Sequence, residues 1–468
     1  MATQFVQDER IRRLNDANAQ LGKYVLYWMQ QSQRAEFNHA LEYAAHRANE
    51  LRLPLLVAFG LTDGYPEANA RHYRFMLEGL AEVGPALERR GIRFVVRKGR
   101  PDEVAIELSR DAASVICDAG WLRPQQEWRT HVAANAKCEV VQVESDVVVP
   151  VETASNKREY AARTLRPKIA KLTDTFLIDL KTTPVRKDSL ELKVDGLDLS
   201  DVDSALASMQ VDRTIEPVSS FFKGGTSAAK TILRKFLETK FDDYADHRNQ
   251  PQTNDVSHMS KYLHFGQISP VELALAARKH RSAGESVASF LEELIVRREL
   301  AQNFVRFTPD YDKFSCLPDW AQATLKKHSR DKREHVYTKA EFIEAKTHDP
   351  YWNAAMNEMR YTGYMHNYMR MYWGKKLLEW TNTPEYAHRI ALEINNAYFL
   401  DGRDANSFTN INWVFGLHDR PWGERPVYGT IRSMSAGGLE RKCDIDGYVA
   451  KVDRLVEQAK ADDPSRDR

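Results

Sequence analysis

Five short apolar runs near the start of the chain, separated by helix-length segments, constrain the fold more than any other feature. Tyr24–Trp28, Leu55–Phe59, Ile92–Val96, Val115–Cys117 and Glu139–Val143 read as strands. Between the first four lie Glu36–Leu51, Ala68–Arg90 and Pro101–Arg110, each long enough for a helix. Alternation at this spacing implies βαβ units and an α/β domain with a doubly wound parallel sheet. Leu55–Phe59 and Val140–Val141 are apolar without alternation, as strands covered on both faces must be. A dinucleotide-binding sheet carries G-x-G-x-x-G after its first strand, so that the backbone can approach a pyrophosphate. Residues 28–36 read WMQQSQRAE and hold no glycine. This sheet is therefore not expected to bind a dinucleotide in that way.

At 468 residues the chain is too long for one core. Residues 181–218 include KTTPVRKDS and DGLDLSDVDS, rich in Asp and Ser, and read as a linker. From Ser219 onward strand-like runs are absent. Helical periodicity appears in Ala228–Lys240, Pro270–His280, Ser289–Phe307, Lys339–Ala345, Asn353–Trp380 and Pro384–Asn396. The expected order is an N-terminal extension over residues 1–21, the α/β domain over 22–180, the linker, and an all-α C-terminal domain over 219–468.

Composition narrows the function. Lys and Arg total 67 against 66 Asp and Glu, so any polyanion must be met by local charge. Cys117, Cys138, Cys316 and Cys443 show no CxxC spacing, which argues against a zinc site or a disulfide scaffold and fits a reducing compartment. The 14 histidines show no HExxH, so no metal is expected. No apolar run is long enough for a membrane helix, and Met1–Leu21 lacks the apolar core of a secretory signal.

Three segments carry chemistry. Gly416–Met434 reads GLHDRPWGERPVYGTIRSM, where Arg420, Arg425 and Arg432 alternate with Trp422 and Tyr428. That suits an exposed loop gripping phosphates and offering flat surfaces to bases, though a plain basic surface loop has the same composition. Phe290–Phe304 reads FLEELIVRRELAQNF, and DPYW…MRMYWGKKLLEW carries Trp352, Trp373 and Trp380. Together these segments resemble the class II cyclobutane pyrimidine dimer photolyases, flavin enzymes that use blue light to split ultraviolet-induced dimers in DNA. The resemblance runs from about Tyr24 to about Tyr448; its N-terminal part is common to the wider photolyase and cryptochrome group.

The resemblance implies FAD in the helical domain and an antenna chromophore, a deazaflavin or a folate or none, in the sheet domain. Ser257, Met259 and Ser260 in VSHMS match the family's phosphate-binding turn, with Tyr244 upstream; helix capping explains the serines equally well. Asn395 matches the residue opposite the reactive flavin nitrogen, where an amide can donate or accept. Arg370 and Asp401 match an ion pair beside the ring, with Asp404 in the same turn. A cation there favours an anionic reduced flavin. Trp373 and Trp380 are seven apart in a helical run, about 10 Å along one face, an arrangement that usually means core packing. In the family, the residues matching Trp373, Trp352 and Trp380 relay electrons from the surface, Trp380 being outermost, and Tyr337 is a possible extension.

On the lesion side, Glu293 matches a glutamate that hydrogen-bonds the dimer. Burial would raise its pKa so that it can donate; the ordinary alternative is an i,i+4 pair with Arg297. Arg248 and Asn249 match polar residues of the same pocket. A dimer must be flipped out of the duplex to be reached. Met371 and Trp413 are candidates for pocket walls, Arg420, Trp422 and Arg432 for the intruding loop, and Arg441 and Lys442 for phosphate contacts.

The function implied is light-driven lyase repair of ultraviolet-damaged DNA by a monomer without an obligate protein partner. It would be cytoplasmic, nucleoid-associated in a prokaryote, or nuclear in a eukaryote. A cryptochrome-type photoreceptor shares the fold but is expected to carry a long tail, whereas this chain ends in ADDPSRDR soon after Val456. A plain electron-transfer flavoprotein would not need the Arg/Trp loop. Repair of the (6–4) lesion is associated with pocket histidines; His264 and His366 are present, but the class II segments point away from it.

Overall fold

In the computed structural model, which describes residues 6–280 and 284–463, the sheet has six strands in the order β1-β6-β5-β2-β3-β4. These are β1 (Ile11–Arg13), β2 (Tyr24–Met29), β3 (Leu55–Leu61), β4 (Arg93–Lys98), β5 (Ala112–Asp118) and β6 (Glu139–Val143). All neighbours pair in parallel except β1, which runs antiparallel to β6 with Ile11 opposite Val143. Helices α1 (His39–Leu51), α2 (Ala70–Glu88), α3 (Pro101–Ser109) and α4 (Arg123–Asn135) make the crossovers. Asn38 caps α1, its side chain accepting from Leu41 N, and Asn69 caps α2. β2, β3 and β5 are buried along their whole length, as their apolar sequences require.

Several features were not read from the sequence. The segment expected as an extension supplies β1, although its first five residues lie outside the described residues. Helix α4 fills a stretch left unassigned. The expected linker folds back on the sheet: Ser189 Oγ donates to Leu55 O at 2.6 Å, and Met209 is buried against the α/β core.

The glycine-free loop after β2 has a use of its own. The N–H groups of Gln30, Gln31 and Ser32 converge on Asp118 Oδ2 at 2.8–3.0 Å, and Tyr27 Oη donates to Oδ1 at 2.7 Å. Donors that would cradle a phosphate in a nucleotide-binding sheet are engaged by the chain's own carboxylate.

Among the described residues no strand follows Val143. The helix expected over Asn353–Trp380 is two helices, Pro350–Thr362 and Asn367–Glu379. The break falls at Gly363, which ends the first helix with φ +71°. The helix expected over Ser289–Phe307 contains a π-helical stretch, Glu292–Arg297, between Gly284–Leu291 and Arg298–Phe307. Such interruptions concentrate at functional sites.

The sheet side grips the helical side through buried arginines. Arg71 donates to the carbonyls of Met359 and Tyr398, and Arg34 to Gly266 O; Arg10 donates to the Val147 and Val148 carbonyls of its own half, with Glu299 of the helical side nearby. Burial pushes Glu299 up to about 8 even though its carboxylate accepts from Val148 N and Val149 N.

Candidate functional site

Three segments meet in the helical half: the turn before Ser260–His264, the Asn367–Glu379 helix, and the loop after Pro384–Tyr398. Arg370 and Asp401 pair there at 3.0 and 3.1 Å through Nη1 and Nη2. Burial would raise the Asp401 carboxyl. Arg370 and the Ser260 hydroxyl outweigh it, and Asp401 is held below the usual carboxylate range. Arg370 is therefore not a solvated helix-face charge. Its guanidinium also lies 3.9 Å from the Phe399 ring centroid, and Phe399 stands edge-on to Trp373 at 6.5 Å. Asn395 is buried on the same loop side, its amide donating to Asn396 Oδ1 at 3.0 Å. Asp404 is buried in the same turn, and burial raises its pKa.

The phosphate-type turn has the geometry of an exposed donor edge. His258 sits at φ +55°, Ser257 is half-buried, Met259 is buried and Ser260 is exposed. Ser257 Oγ accepts from Met259 N at 3.4 Å, and no side chain caps the helix that starts at Ser260. Tyr244 is buried among Phe236, Phe241 and Phe290, with the Arg248 guanidinium 5.9 Å from its ring.

Sequence reasoning missed Lys261. It is buried, its Nζ 3.7 Å from the Phe222 ring and 4.9 Å from Tyr364, donating to His258 O at 3.1 Å. Burial lowers it to about 7, against the pull of Asp401. Arg370 balances Asp401, so the chamber's surplus positive charge is that of Lys261, partly protonated near pH 7. The indole N–H of Trp373 and His366 Nε2 are buried there without a protein partner. A cationic chamber with orphaned polar atoms fits an anionic cofactor with ring nitrogens and a diphosphate.

Trp352, Trp373 and Trp380 lie together. The Trp352 indole N–H donates to Trp373 O at 3.0 Å, and the Trp352 and Trp380 rings are 6.1 Å apart. Trp380 caps the end of its helix and is only 4% exposed, so it does not reach solvent as an outermost residue should. Tyr337 touches it at 5.8 Å and is half-buried.

The expected burial of Glu293 is absent. Its side chain is 35% exposed and pairs with Arg248 Nη2 at 2.7 Å. Nor does it pair with Arg297: the π-helical stretch shifts the phase, and Arg297 Nε bonds Glu292, five residues back, at 3.0 Å. Arg248 also donates to Ser289 Oγ at 2.9 Å, and Asn249 is exposed beside it. Met371 and Trp413 are half-buried.

The Arg/Trp loop is held by an acid that the sequence reading passed over. Asp419 accepts from Arg432 Nε at 3.0 Å and Nη2 at 3.2 Å, from Trp422 Nε1 at 3.3 Å, and from Arg420 N at 2.9 Å. Arg432 is sandwiched between Trp422 at 4.1 Å and Trp413 at 5.7 Å, and Arg420 stacks on Trp422 at 5.0 Å. Trp422 is 38% exposed, a large apolar ring offered outward. Behind Trp413, buried Lys375 lies 4.7 Å from the indole and is lowered by burial to about 7. Arg441 and Lys442 are exposed, and Lys442 O accepts from Gln250 beside Arg248 and Asn249.

A second cleft, open to solvent, lies at the C-terminal ends of β2 and β3. Met29, Phe59, Tyr65, Tyr73 and Trp128 line it, with His264 and Arg403 on the helical side. Burial holds His264 down to about 3, so it is neutral.

A parallel sheet packed on a helical half with a cationic chamber and a basic aromatic rim is the architecture of the photolyase and cryptochrome group. A class III photolyase from Agrobacterium tumefaciens superposes with a TM-score of 0.73 at 18% identity, over 93% of this chain and 87% of that one. The DNA photolyase family model matches residues 25–187. A deoxyribodipyrimidine photo-lyase of Methanothermobacter thermautotrophicus is 49% identical over 97% of this chain and 100% of its own length. One from Oryza sativa subsp. japonica is 39% identical over 96% of this chain and 92% of its own length. The chain belongs to the DNA photolyase family.

Proposed function

We propose that this protein splits cyclobutane pyrimidine dimers in DNA under blue light, as a photolyase of the class II type holding FAD in the chamber of Arg370, Asp401 and Asn395. The observation that carries the reading is the buried Arg370–Asp401 pair, tied to Ser260 and, through Phe399, to Trp373. Held there by Arg370, Asp401 and Asn395, reduced FAD would supply light-driven electron donation to the dimer without net redox.

The chain's residues do the rest. Ser257, Met259 and Ser260, with Tyr244, bind the cofactor's phosphate side. Arg370 and Lys261 favour negative charge in the chamber. The Asn395 amide presents either a donor or an acceptor to the ring edge. Met371 and Trp413 wall the pocket that takes the flipped dimer. Arg248 and Glu293 meet its polar edge from the rim, Arg248 holding the carboxylate in place. Arg420, Trp422 and Arg432 fill the gap left in the duplex, pre-stacked by Asp419 before DNA arrives. Arg441 and Lys442 grip phosphate without reading sequence. The cleft beside β2 and β3 is the place for an antenna chromophore, at the strand ends where open sheets bind ligands.

The reading is tested by incubating chemically reduced protein with oligonucleotides carrying either a cyclobutane dimer or a (6–4) lesion, in light and in darkness. Light-dependent loss of the cyclobutane dimer alone is expected. Repair in darkness, or of the (6–4) lesion alone, overturns it.

A further inference from the structure

Trp380 lies next to Trp352, but at 4% exposure it has no direct path to solvent. Two rings cover it: Tyr337 at 5.8 Å and His348 at 4.9 Å. Tyr337 N donates to Trp380 O at 3.1 Å, which fixes the phenol beside the indole. The Tyr337 oxygen is bonded twice to His348. It accepts from the backbone N–H at 3.0 Å and lies 2.7 Å from the ring Nδ1. A phenol has one hydrogen, and the amide is already a donor to that oxygen. In the His348 tautomer that carries its proton on Nε2, the hydroxyl hydrogen points at Nδ1 and His348 is the acceptor.

We propose that Tyr337 and His348 form a proton-coupled exit from the buried tryptophans: Tyr337 returns an electron to Trp380 while its hydroxyl proton passes to Nδ1 of His348. The inference rests on the reading that Trp373, Trp352 and Trp380 carry electrons toward FAD. The oxidant is photoexcited oxidised flavin, acting through Trp373 and Trp352. In the step itself one electron moves from Tyr337 to the Trp380 radical cation. The O–H bond breaks and an Nδ1–H bond forms, leaving neutral Trp380, a neutral tyrosyl radical and imidazolium. The charge is +1 before and after.

The surroundings suit this step. A phenol is hard to oxidise unless its proton leaves at the same time, and Nδ1 is already at hydrogen-bond distance. Lys376 Nζ lies 5.3 Å from the Trp380 ring, which disfavours positive charge staying on that indole, although Glu379 shares the ammonium. The groups facing His348 are Tyr337, His335 stacked at 3.7 Å, Lys376, Asp349 and Glu334. Partial desolvation and His335 lower His348 from its ordinary value, which favours an unprotonated ring. His348 is exposed, so imidazolium can release its proton to water. The hole then rests on a half-buried tyrosine, where an external reductant reaches it.

The test is flash absorption on the flavin-loaded protein with the flavin oxidised, comparing the parent with Tyr337→Phe and His348→Leu, with His348→Gln in case the leucine variant fails to fold. In the parent the visible tryptophan-radical band should give way to the near-ultraviolet tyrosyl band. Deuterium oxide should slow this step, as should pH below the usual histidine range. Tyr337→Phe should leave the tryptophan band to decay without a tyrosyl product. His348→Leu should form the tryptophan radical at parental yield but slow tyrosine oxidation by roughly 10²-fold, the scale of a lost general base. Added imidazole should restore part of the rate. Equal tyrosyl formation in His348→Leu and the parent, or no solvent isotope effect, overturns the proposal. Repair by chemically pre-reduced protein is measured alongside: its absence refutes the photolyase reading, while the flash result decides the exit.

Discussion

Replacing Asp401 by Asn should destabilise the helical half and steepen its dependence on pH. Asp401 is buried against both Arg370 Nη atoms, with Lys261 buried beside them. Removing one member of a buried pair costs about 3–5 kcal/mol, because the other charge stays desolvated. Arg370 keeps 20% of its side chain exposed, which puts the loss near the lower figure, about 3 kcal/mol. At about 2.1 cal/mol/K per residue, unfolding all 468 residues carries about 1 kcal/mol/K, so the melting point should fall by roughly 3 °C. If the helical half melts by itself the fall should be roughly 6 °C. Lys261 sets the pH dependence. Its folded value, about 7, lies below its unfolded value, about 10.4, so between the two the unfolded chain binds more protons and stability rises with pH. Asp401 pulls Lys261 upward; without it the folded value drops and the rise starts at lower pH. The deficit should therefore shrink as pH climbs toward about 7 and stay flat above it. Asp401 itself, held below the usual carboxylate range, stays charged throughout. Melting followed by circular dichroism across this range tests the argument. A variant that melts with the parent at pH 7, or a deficit that grows with pH, would refute it.

Asn395→Leu should retain flavin but change which reduced state accumulates during a reductive titration; an unaltered titration would remove Asn395 from the ring edge. Trp380→Phe should slow photoreduction of oxidised protein and leave repair by pre-reduced protein intact, whereas loss of repair would make the residue structural. Trp422→Ala should weaken binding to a dimer in duplex more than in single strand, by about 1–3 kcal/mol, since only the duplex has stacking to replace. Arg441→Ala should weaken both substrates and lower the salt slope by about one unit. Matching behaviour of the two variants would reduce the loop to a general phosphate clamp.

The sheet was legible because buried parallel strands are written as unbroken apolar runs, and Leu55–Phe59 shows this plainly. β1 was not: it is three residues long with one apolar side chain, and the free edge of β6 defines it more than its own sequence does. The break at Gly363 had a signal, a glycine inside a helical pattern, but the helical periodicity of Asn353–Trp380 ran on through it. The π-helical stretch had none, because a local change of phase leaves composition untouched. The same limit applies to the site. Residue types came through the resemblance, but burial did not. Glu293 lies at the rim because Arg248 arrives from a segment over forty residues away. Lys261 reads as a surface lysine, and only Phe222 and Tyr364 from distant segments enclose it. Asp419 was hidden among the arginines it organises.

The central claim, light-driven splitting without net redox, is most directly tested by counting. Pre-reduced protein is illuminated with a large excess of an oligonucleotide bearing one cyclobutane dimer, and dimers lost are compared with reducing equivalents consumed. The account predicts many dimers split per protein in light, none in darkness, and no reductant used beyond the initial reduction. Splitting that stops once the bound reducing equivalents are spent, or that proceeds equally in the dark, would contradict it.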